Sequence, residues 1–109
     1  MDLSGSQLLE SVEDYAFYSF RGQIILANQT ALVKVGDGAF EYAGTADSIV
    51  DLTGSQLLES VEDYAFDNFQ GQIILANQTA LVKVGYMAFR SAGTADSIVD
   101  LTGSQLLES

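Results

Sequence analysis

Carboxylates are almost the only side chains in this chain that could carry acid–base or metal chemistry. The 109 residues include 15 Asp and Glu, four Lys and Arg, no His and no Cys. Close acids occur as Glu13 with Asp14, Glu62 with Asp63, and Asp47 with Asp51. Two carboxylates act as general acid and general base only when different surroundings separate their pKa values. The first two pairs are copies within a repeated sequence and share one environment, so we predict no enzymatic activity and no catalytic residue.

The same acids make a weak case for a metal ion. Oxygen ligands suit calcium, and stacked repeats would place Asp2, Asp51 and Asp100 in a file. Equivalent residues would lie two layers apart, about 10 Å at the spacing of β-strands, which is too far to share one ion. No Asp-x-Asp-x-Asp-Gly loop occurs in the sequence. We therefore predict no metal and no cofactor.

The acidic balance also restricts the partners. A net charge of −11 and an isoelectric point near 4.1 oppose contact with phosphate backbones and anionic lipid surfaces. No apolar run is long enough to cross a membrane, and nothing near Met1 reads as a signal peptide. We predict neither nucleic acid nor membrane as a partner, and the residues alone leave localisation and redox compartment open.

The positions of these residues are set by a repeat. Residues 2–50 and 51–99 align over 49 positions with eight differences, which leaves 41 identities, and residues 100–109 begin a third copy. The differences are Ser4/Thr53, Tyr18/Asp67, Ser19/Asn68, Arg21/Gln70, Asp37/Tyr86, Gly38/Met87, Glu41/Arg90 and Tyr42/Ser91. We predict one repeat domain over residues 1–109, composed of repeat 1 (2–50), repeat 2 (51–99) and a partial repeat (100–109).

A shorter period lies inside the long one. Apolar residues recur in steps of 23 and 26 in three files: Leu3, Leu26, Leu52, Leu75 and Leu101; Leu9, Leu32, Leu58, Leu81 and Leu107; Val12, Val35, Val61 and Val84. The Ala-Phe pairs at 16–17, 39–40, 65–66 and 88–89 follow the same steps. A unit this short cannot bury its own apolar face, so stacking must supply the core. We predict about four stacked rungs with the four Phe residues in a core column.

Four segments carry a family resemblance: SVEDYAFYSF, KVGDGAFEYA, SVEDYAFDNF and KVGYMAFRSA. They resemble the signature of the BspA-like leucine-rich repeats of bacterial surface proteins. The four Val residues take its first apolar position, and Phe20, Ala43, Phe69 and Ala92 take its Cys position. The family's Ile-x-Ile-Pro strand end is missing, because the chain has no proline. The resemblance implies a leucine-rich-repeat fold and, for a natural parent, the bacterial cell surface.

The predicted fold is an α/β repeat solenoid with a short parallel β-sheet. The β-branched runs at 24–26, 49–52, 73–75 and 98–101 are typical of strands. Residues 7–17 and 31–40 have apolar residues three and four apart, which predicts irregular or single-turn helical structure on the other side. We expect alternate rungs to lengthen at 44–47 and 93–96. The alternative is a β-propeller fragment with one 49-residue blade per repeat.

Asn28 and Asn77 each follow a predicted strand within Asn-Gln-Thr. We predict that each side chain bonds to the backbone of its turn. The other interpretation is an N-glycosylation site, which matters only in a secretory context.

The differences between the copies indicate an interaction surface. Seven of the eight fall in two short windows after the same local motif, and they include Tyr, Met and Arg, which are enriched at protein interfaces. The candidate interface residues are Tyr18, Arg21, Tyr42, Tyr86, Met87 and Arg90. The alternative is neutral drift at tolerant loop positions.

We expect a protein–protein interaction module that forms a homo-oligomer, with a protein ligand as a further possibility. No polar capping repeat is recognisable, and uncovered strand edges favour self-association. Near-identical copies are typical of an engineered or consensus repeat protein. The alternative is a natural bacterial surface-adhesion fragment that binds a host or partner protein.

Overall fold

Short parallel strands wind the chain into a β-solenoid of about four turns. The computed structural model describes Leu3, residues 8–76 and residues 78–99. Its strands are β1 (Ser11–Val12), β2 (Ile25–Leu26), β3 (Lys34–Val35), β4 (Ile49–Asp51), β5 (Ser60–Val61), β6 (Gln72–Leu75), β7 (Lys83–Val84) and β8 (Ile98–Val99). The odd strands form one sheet in the order β1-β3-β5-β7, and the even strands form a second in the order β2-β4-β6-β8.

Each rung consists of one strand from each sheet joined by a turn. Rung 1 covers residues 11–26, rung 2 residues 34–51, rung 3 residues 60–75 and rung 4 residues 83–99. The predicted valine file is confirmed, because Val12, Val35, Val61 and Val84 are successive register partners in the first sheet. Every strand pairing is parallel, whereas a propeller blade is antiparallel, so the propeller alternative is wrong.

The expected α component is not found. Within the described part of the chain there is no helix, and residues 14–19 and 37–42 form turns between strands. The second and sixth residues of each turn have left-handed backbone conformations, for example Tyr15 at φ 59° and Ser19 at φ 58°. The predicted apolar spacings have a different origin. The pairs Leu9/Val12 and Leu32/Val35 lie in non-helical chain that leads into β1 and β3, and the pairs Val12/Ala16 and Val35/Ala39 cross from a strand into a turn.

The four phenylalanines of the Ala-Phe pairs form the predicted core column. Ring centroids are 5.1 Å apart for Phe17 and Phe40, 5.0 Å for Phe40 and Phe66, and 5.3 Å for Phe66 and Phe89, and the rings are nearly parallel. Phe69 packs edge-on against Phe40 and Phe66. The column and the two sheets enclose one hydrophobic core.

The second sheet corrects the expected leucine file. Leu26, Leu52 and Leu75 are all buried, but the register partner of Leu26 is Val50 and that of Leu75 is Val99. Against rung 1, Val35 to Val50 takes 15 steps where Val12 to Leu26 takes 14, so one extra residue lies before β4 and two lie after it. Against rung 3, Val50 pairs with Ile73 and Val61 to Ile73 takes 12 steps, so all three extra residues lie before β4. The lengthening predicted at 44–47 therefore agrees with the register on the rung 3 side and only in part with the register on the rung 1 side.

Candidate interaction surface

Most positions that differ between the copies lie on the turns. We define the turn ridge as residues 14–15 and 18–19 of rung 1 and the equivalent residues 37–38 and 41–42, 63–64 and 67–68, and 86–87 and 90–91. Six of the eight differences fall on this ridge. Arg21, which differs from Gln70, lies two residues beyond the ridge of rung 1 and is exposed. Ser4 lies outside the described residues.

A backbone ladder sets the spacing of the ridge. In rungs 1 to 3 the second, fourth and sixth amides of the turn donate to carbonyls of the following rung, as in Phe17 N to Ala39 O at 2.7 Å and Phe40 N to Ala65 O at 2.7 Å. Nine such bonds join the four rungs, and each runs from a lower-numbered donor to a higher-numbered acceptor. Adjacent rungs of a parallel β-structure lie about 4.8 Å apart, so equivalent side chains form files along the ridge.

The ridge of rungs 1 and 2 is aromatic. The ring centroids of Tyr15 and Tyr18 are 5.8 Å apart and those of Tyr18 and Tyr42 are 6.0 Å apart, both in edge-to-face geometry. Tyr15 and Tyr18 are 59% and 49% exposed. Gly38 makes this arrangement possible, because a β-carbon there would lie 2.5 Å from the Tyr15 ring. The result is a solvent-facing cluster with apolar ring faces and polar hydroxyls, as is common at protein interfaces.

The ridge of rungs 3 and 4 is ionic at the same positions. Arg90 Nη2 lies 2.7 Å from Asp67 Oδ2 and Arg90 Nε lies 3.1 Å from Asp67 Oδ1, so the guanidinium binds the carboxylate through two nitrogens. The Asp67 side chain is fully buried, and Asn68 Nδ2 donates to it at 2.8 Å. The guanidinium also lies 5.8 Å from the centre of the Tyr64 ring. Arg90, predicted as an interface residue, is therefore already bound within its own chain.

The charges of Asp67 and Arg90 both act on the carboxylate of Glu41 in rung 2. Burial raises the pKa of Glu41, repulsion from Asp67 raises the pKa further, and Arg90 partly offsets both effects. Tyr18, Glu41, Asp67 and Arg90 occupy the equivalent ridge position in successive rungs. Residues that differ between the copies therefore contact each other across neighbouring rungs, so a change at one of them alters the surroundings of the other. Tyr18 contacts Tyr42 in one repeat, and Asp67 contacts Arg90 in the other.

The remaining candidate residues are at the rung 4 end. Tyr86 is 63% exposed and packs edge-to-face against Tyr64 at 5.8 Å, and Met87 is 36% exposed. The structure thus brings Tyr18 and Tyr42 together near rung 1, and Tyr86, Met87 and Arg90 together on rung 4. It does not join the two groups, because rungs 2 and 4 are separated by rung 3.

The sequence interpretation missed two buried glutamines. Gln78 Nε2 donates to Leu52 O at 2.6 Å and to Ala76 O at 2.8 Å, and Gln29 Nε2 donates to Leu3 O and Ala27 O. These bonds perform the role predicted for the preceding asparagine. Asn28 is exposed with φ 58°, and its side chain makes no hydrogen bond within residues 8–76 and 78–99. Asn77 lies outside the described residues. The sequence does not distinguish Gln29 from Asn28, because both residues recur unchanged at 78 and 77.

The repeated acids also have structural partners. Asp14 Oδ1 accepts a hydrogen bond from Asp37 N at 2.9 Å, and Asp63 Oδ1 accepts one from Tyr86 N at 2.8 Å. Asp51 Oδ1 accepts from Thr53 N at 3.0 Å. Among the residues with described positions, no group of three or more His, Cys, Asp or Glu could hold a metal ion. Asp2 and Asp100 of the predicted acidic file lie outside that range.

Comparison with known proteins gives no relative for this chain: no family model, no curated protein and no solved structure matches it. Over the part of the chain that can be described, no helix has the length and apolar character needed to span a membrane.

Proposed function

We propose that this chain is a non-enzymatic protein–protein interaction module that self-associates through residues of its turn ridge. The observation that carries the proposal is the exposed aromatic cluster of Tyr15 and Tyr18, with Tyr42 against it. Tyr residues that are exposed in a single chain often become buried anchors at an interface, because each offers a large rigid apolar face and one polar group. The exposed Tyr86 and Met87 provide a second anchor pair on the same ridge, at the other end.

The charge of the chain favours contact through these residues. The net charge is −11, so two copies repel each other at most orientations. The rung 4 end of the ridge presents Tyr86, Met87 and the Arg90 guanidinium that pairs with Asp67, and the rung 1 end presents Tyr15 and Tyr18 beside Asp14. A contact made there avoids placing carboxylates against carboxylates.

We further propose that the chain is an engineered or consensus repeat protein of the BspA-like type. The BspA-like resemblance is supported by the valine file and the Phe column, which occupy the signature positions. A leucine-rich-repeat fold in particular is not favoured by the described rungs, because they contain no helix. Near-identical copies favour an engineered or consensus protein. The second candidate, a bacterial surface-adhesion module, is favoured only by the exposed tyrosines, which would equally suit a foreign protein.

Sedimentation equilibrium over a wide concentration range tests the proposal. We expect the parent chain to form oligomers, and the double variant Tyr86→Asp with Met87→Gly to remain folded but to have a smaller mass. The matched control is Leu57→Asp, because Leu57 is 56% exposed and lies off the ridge. An unchanged mass for the ridge variant would contradict a contact through Tyr86 and Met87.

A complete exchange of the ridge needs coupled changes. Arg90→Glu alone would place a second carboxylate against the buried Asp67 and would confuse folding with association. Asp67→Tyr, Arg90→Glu and Ser91→Tyr together rebuild the Tyr18, Glu41 and Tyr42 arrangement of repeat 1 on rungs 3 and 4. We expect this triple variant to fold with unchanged circular dichroism and to differ from the parent in its association.

A further inference from the structure

We infer that the self-association is head to tail: rung 4 of one copy stacks on rung 1 of the next copy, as rung 2 stacks on rung 3 within one chain. The inference rests on the proposed self-association and specifies its geometry. We call the rung 2–rung 3 contact the internal junction and the contact between copies the joint.

The internal junction is a template for the joint. Rung 4 differs from rung 2 only at four ridge positions, and rung 1 differs from rung 3 only at residues 18, 19 and 21. The two end faces therefore carry the same strands, the same core residues and the same turns that already stack on each other inside the chain. A copy of the chain is a partner whose surface is complementary by sequence.

The unpaired backbone groups of the two faces match. In the internal junction Gly38, Phe40 and Tyr42 donate to the carbonyls of Asp63, Ala65 and Asp67, at 2.9, 2.7 and 2.9 Å. The equivalent donors of rung 4 are the amides of Met87, Phe89 and Ser91. The equivalent acceptors of rung 1 are the carbonyls of Asp14, Ala16 and Tyr18. None of these six groups has a hydrogen-bond partner within the described part of the chain.

This pattern also sets the direction of stacking. The rung 4 turn presents only donors at these positions and the rung 1 turn presents only acceptors. Two rung 4 faces would place donors against donors, and two rung 1 faces would place acceptors against acceptors. The joint is therefore heterologous, which produces an open filament or a closed ring and not a two-fold dimer.

The apolar surfaces of the two faces are complementary as well. Rung 1 has a cavity of about 240 Å³ whose apolar lining includes Leu3, Leu9, Val12 and Phe17. Its opposing face is the outer surface of rung 4, where Ile98 and Val99 are 51% and 45% exposed.

The internal junction shows what such surfaces become when they are covered. The counterparts of the cavity residues are Leu52, Leu58, Val61 and Phe66, and all of them are 0% exposed. The counterpart of Val99 is Val50, which is also 0% exposed. These five residues are thus fully buried where a rung covers them, whereas Ile49, the counterpart of Ile98, stays partly exposed.

The ridge differences improve the joint relative to the internal junction. In the internal junction Glu41 faces Asp67, and this repulsion contributes to the raised pKa of Glu41. At the joint the equivalent residues are Arg90 and Tyr18 of the next copy. A guanidinium over a tyrosine ring is attractive, so the changes replace a repulsion by a cation–π contact. The residues that differ between the copies, Arg90 and Tyr18, therefore favour the contact between chains.

One-sided blocking tests the direction of the joint. Ala16→Arg places a long cation on the rung 1 face, and Val99→Lys places one on the rung 4 face. Both residues are exposed in the single chain, so each variant should fold, which circular dichroism checks. Leu57→Lys adds the same charge at an exposed position of the chain interior and serves as the control.

We expect the parent and the control to form a series of oligomers in sedimentation equilibrium. Each blocked variant alone should be monomeric, because every joint needs both faces. An equimolar mixture should form a heterodimer and nothing larger, since only the rung 4 face of Ala16→Arg and the rung 1 face of Val99→Lys remain open. A tenfold or greater loss of affinity in each variant alone, with recovery in the mixture, would support the joint.

Two other outcomes overturn the inference in different ways. If the parent oligomerises and either blocked variant associates equally well on its own, association uses another surface and only the head-to-tail joint is wrong. If the parent is monomeric at every concentration, something else covers the end faces and the proposed function fails with the joint.

Discussion

The interior rungs and the terminal rungs contain the same residues in different surroundings. Phe66 of rung 3 is 0% exposed, whereas its counterpart Phe17 in rung 1 is only partly buried. Val50 of rung 2 is 0% exposed, whereas its counterpart Val99 in rung 4 is 45% exposed. Burial in a solenoid is therefore supplied by the neighbouring rung and not by the residue itself. The comparison predicts that one substitution has two different costs, depending on the copy in which it is made.

The largest difference is expected in the phenylalanine column. Phe66→Ala should lower the free energy of unfolding by about 3–5 kcal/mol, because it leaves a cavity between two stacked rings. Phe17→Ala should cost clearly less, about half as much, because solvent already reaches that ring. Urea denaturation of both variants measures the difference. Equal costs would mean that rung 1 is covered as fully as rung 3.

The Arg90–Asp67 ion pair joins rung 4 to rung 3, and rung 4 buries less apolar surface than the interior rungs. Arg90→Ala should clearly lower the melting temperature, because it leaves the buried Asp67 carboxylate without its cation. Lys83→Ala removes a pair with Glu62 whose lysine is 51% exposed, and should lower the melting temperature much less. A thermal-denaturation series compares them. A smaller loss for Arg90→Ala than for Lys83→Ala would show that the Asp67 carboxylate is not buried in solution.

Substitutions of the left-handed turn residues should change stability by smaller amounts, with a smaller difference between rungs. Ser91 of rung 4 has φ 52°, a conformation that glycine adopts without steric cost. Ser91→Gly should therefore stabilise the chain by up to about 1 kcal/mol. Asn68→Gly in rung 3 should not stabilise it, because Asn tolerates this conformation and the change removes the hydrogen bond from Asn68 Nδ2 to the buried Asp67 carboxylate. Ser60→Gly in β5 is the control and should destabilise. A fall in melting temperature for Ser91→Gly would contradict the turn geometry.

The smallest effect should be the pH dependence of interior rung 2. Burial and Asp67 raise the pKa of Glu41 above its ordinary value of 4.5. Between the ordinary value and the raised one the folded state binds more protons than the unfolded state, so stability falls as pH rises through this window. Glu41→Gln should remove that part of the pH dependence and stabilise the chain at pH 7 by less than about 1 kcal/mol. Urea midpoints measured from pH 4 to pH 7 check it, and an unchanged slope would contradict the assignment.

The repeating part of the fold could be predicted from the sequence, and the turns could not. Val61 and Phe66 recur in every rung, so their alignment identifies the file and the column without a structure. The helical component was wrong because the three-residue apolar spacing lies in non-helical chain before β1 and β3, and the four-residue spacing crosses from a strand into a turn with two left-handed residues. Tyr15 has no intrinsic preference for φ 59°, so its residue type gave no sign of the turn.

The candidate surface was predictable residue by residue but not in its contacts. Tyr18 and Tyr42 are conspicuous because they differ between copies, and the structure places their rings 6.0 Å apart. Asp67 looked like one more acid, and its role depends on lying opposite Arg90, 23 residues further along the chain. That pairing follows only from the register of the turns, which the sequence left open.

The two-rung length of the repeat also controls how closely like charges approach. Glu10 lies beside Val33 and Glu13 beside Gly36, so these acids alternate with uncharged residues from rung to rung. Identical carboxylates are then about 10 Å apart instead of about 4.8 Å. The first distance exceeds the ionic screening length of about 8 Å at physiological salt, and the second does not. At the Glu10 and Glu13 positions the solenoid can therefore be lengthened in steps of 49 residues with little added repulsion, whereas a repeat of one rung would place these acids in every layer. Asp14, Asp37 and Asp63 show the opposite case, since they share one turn position in three successive rungs.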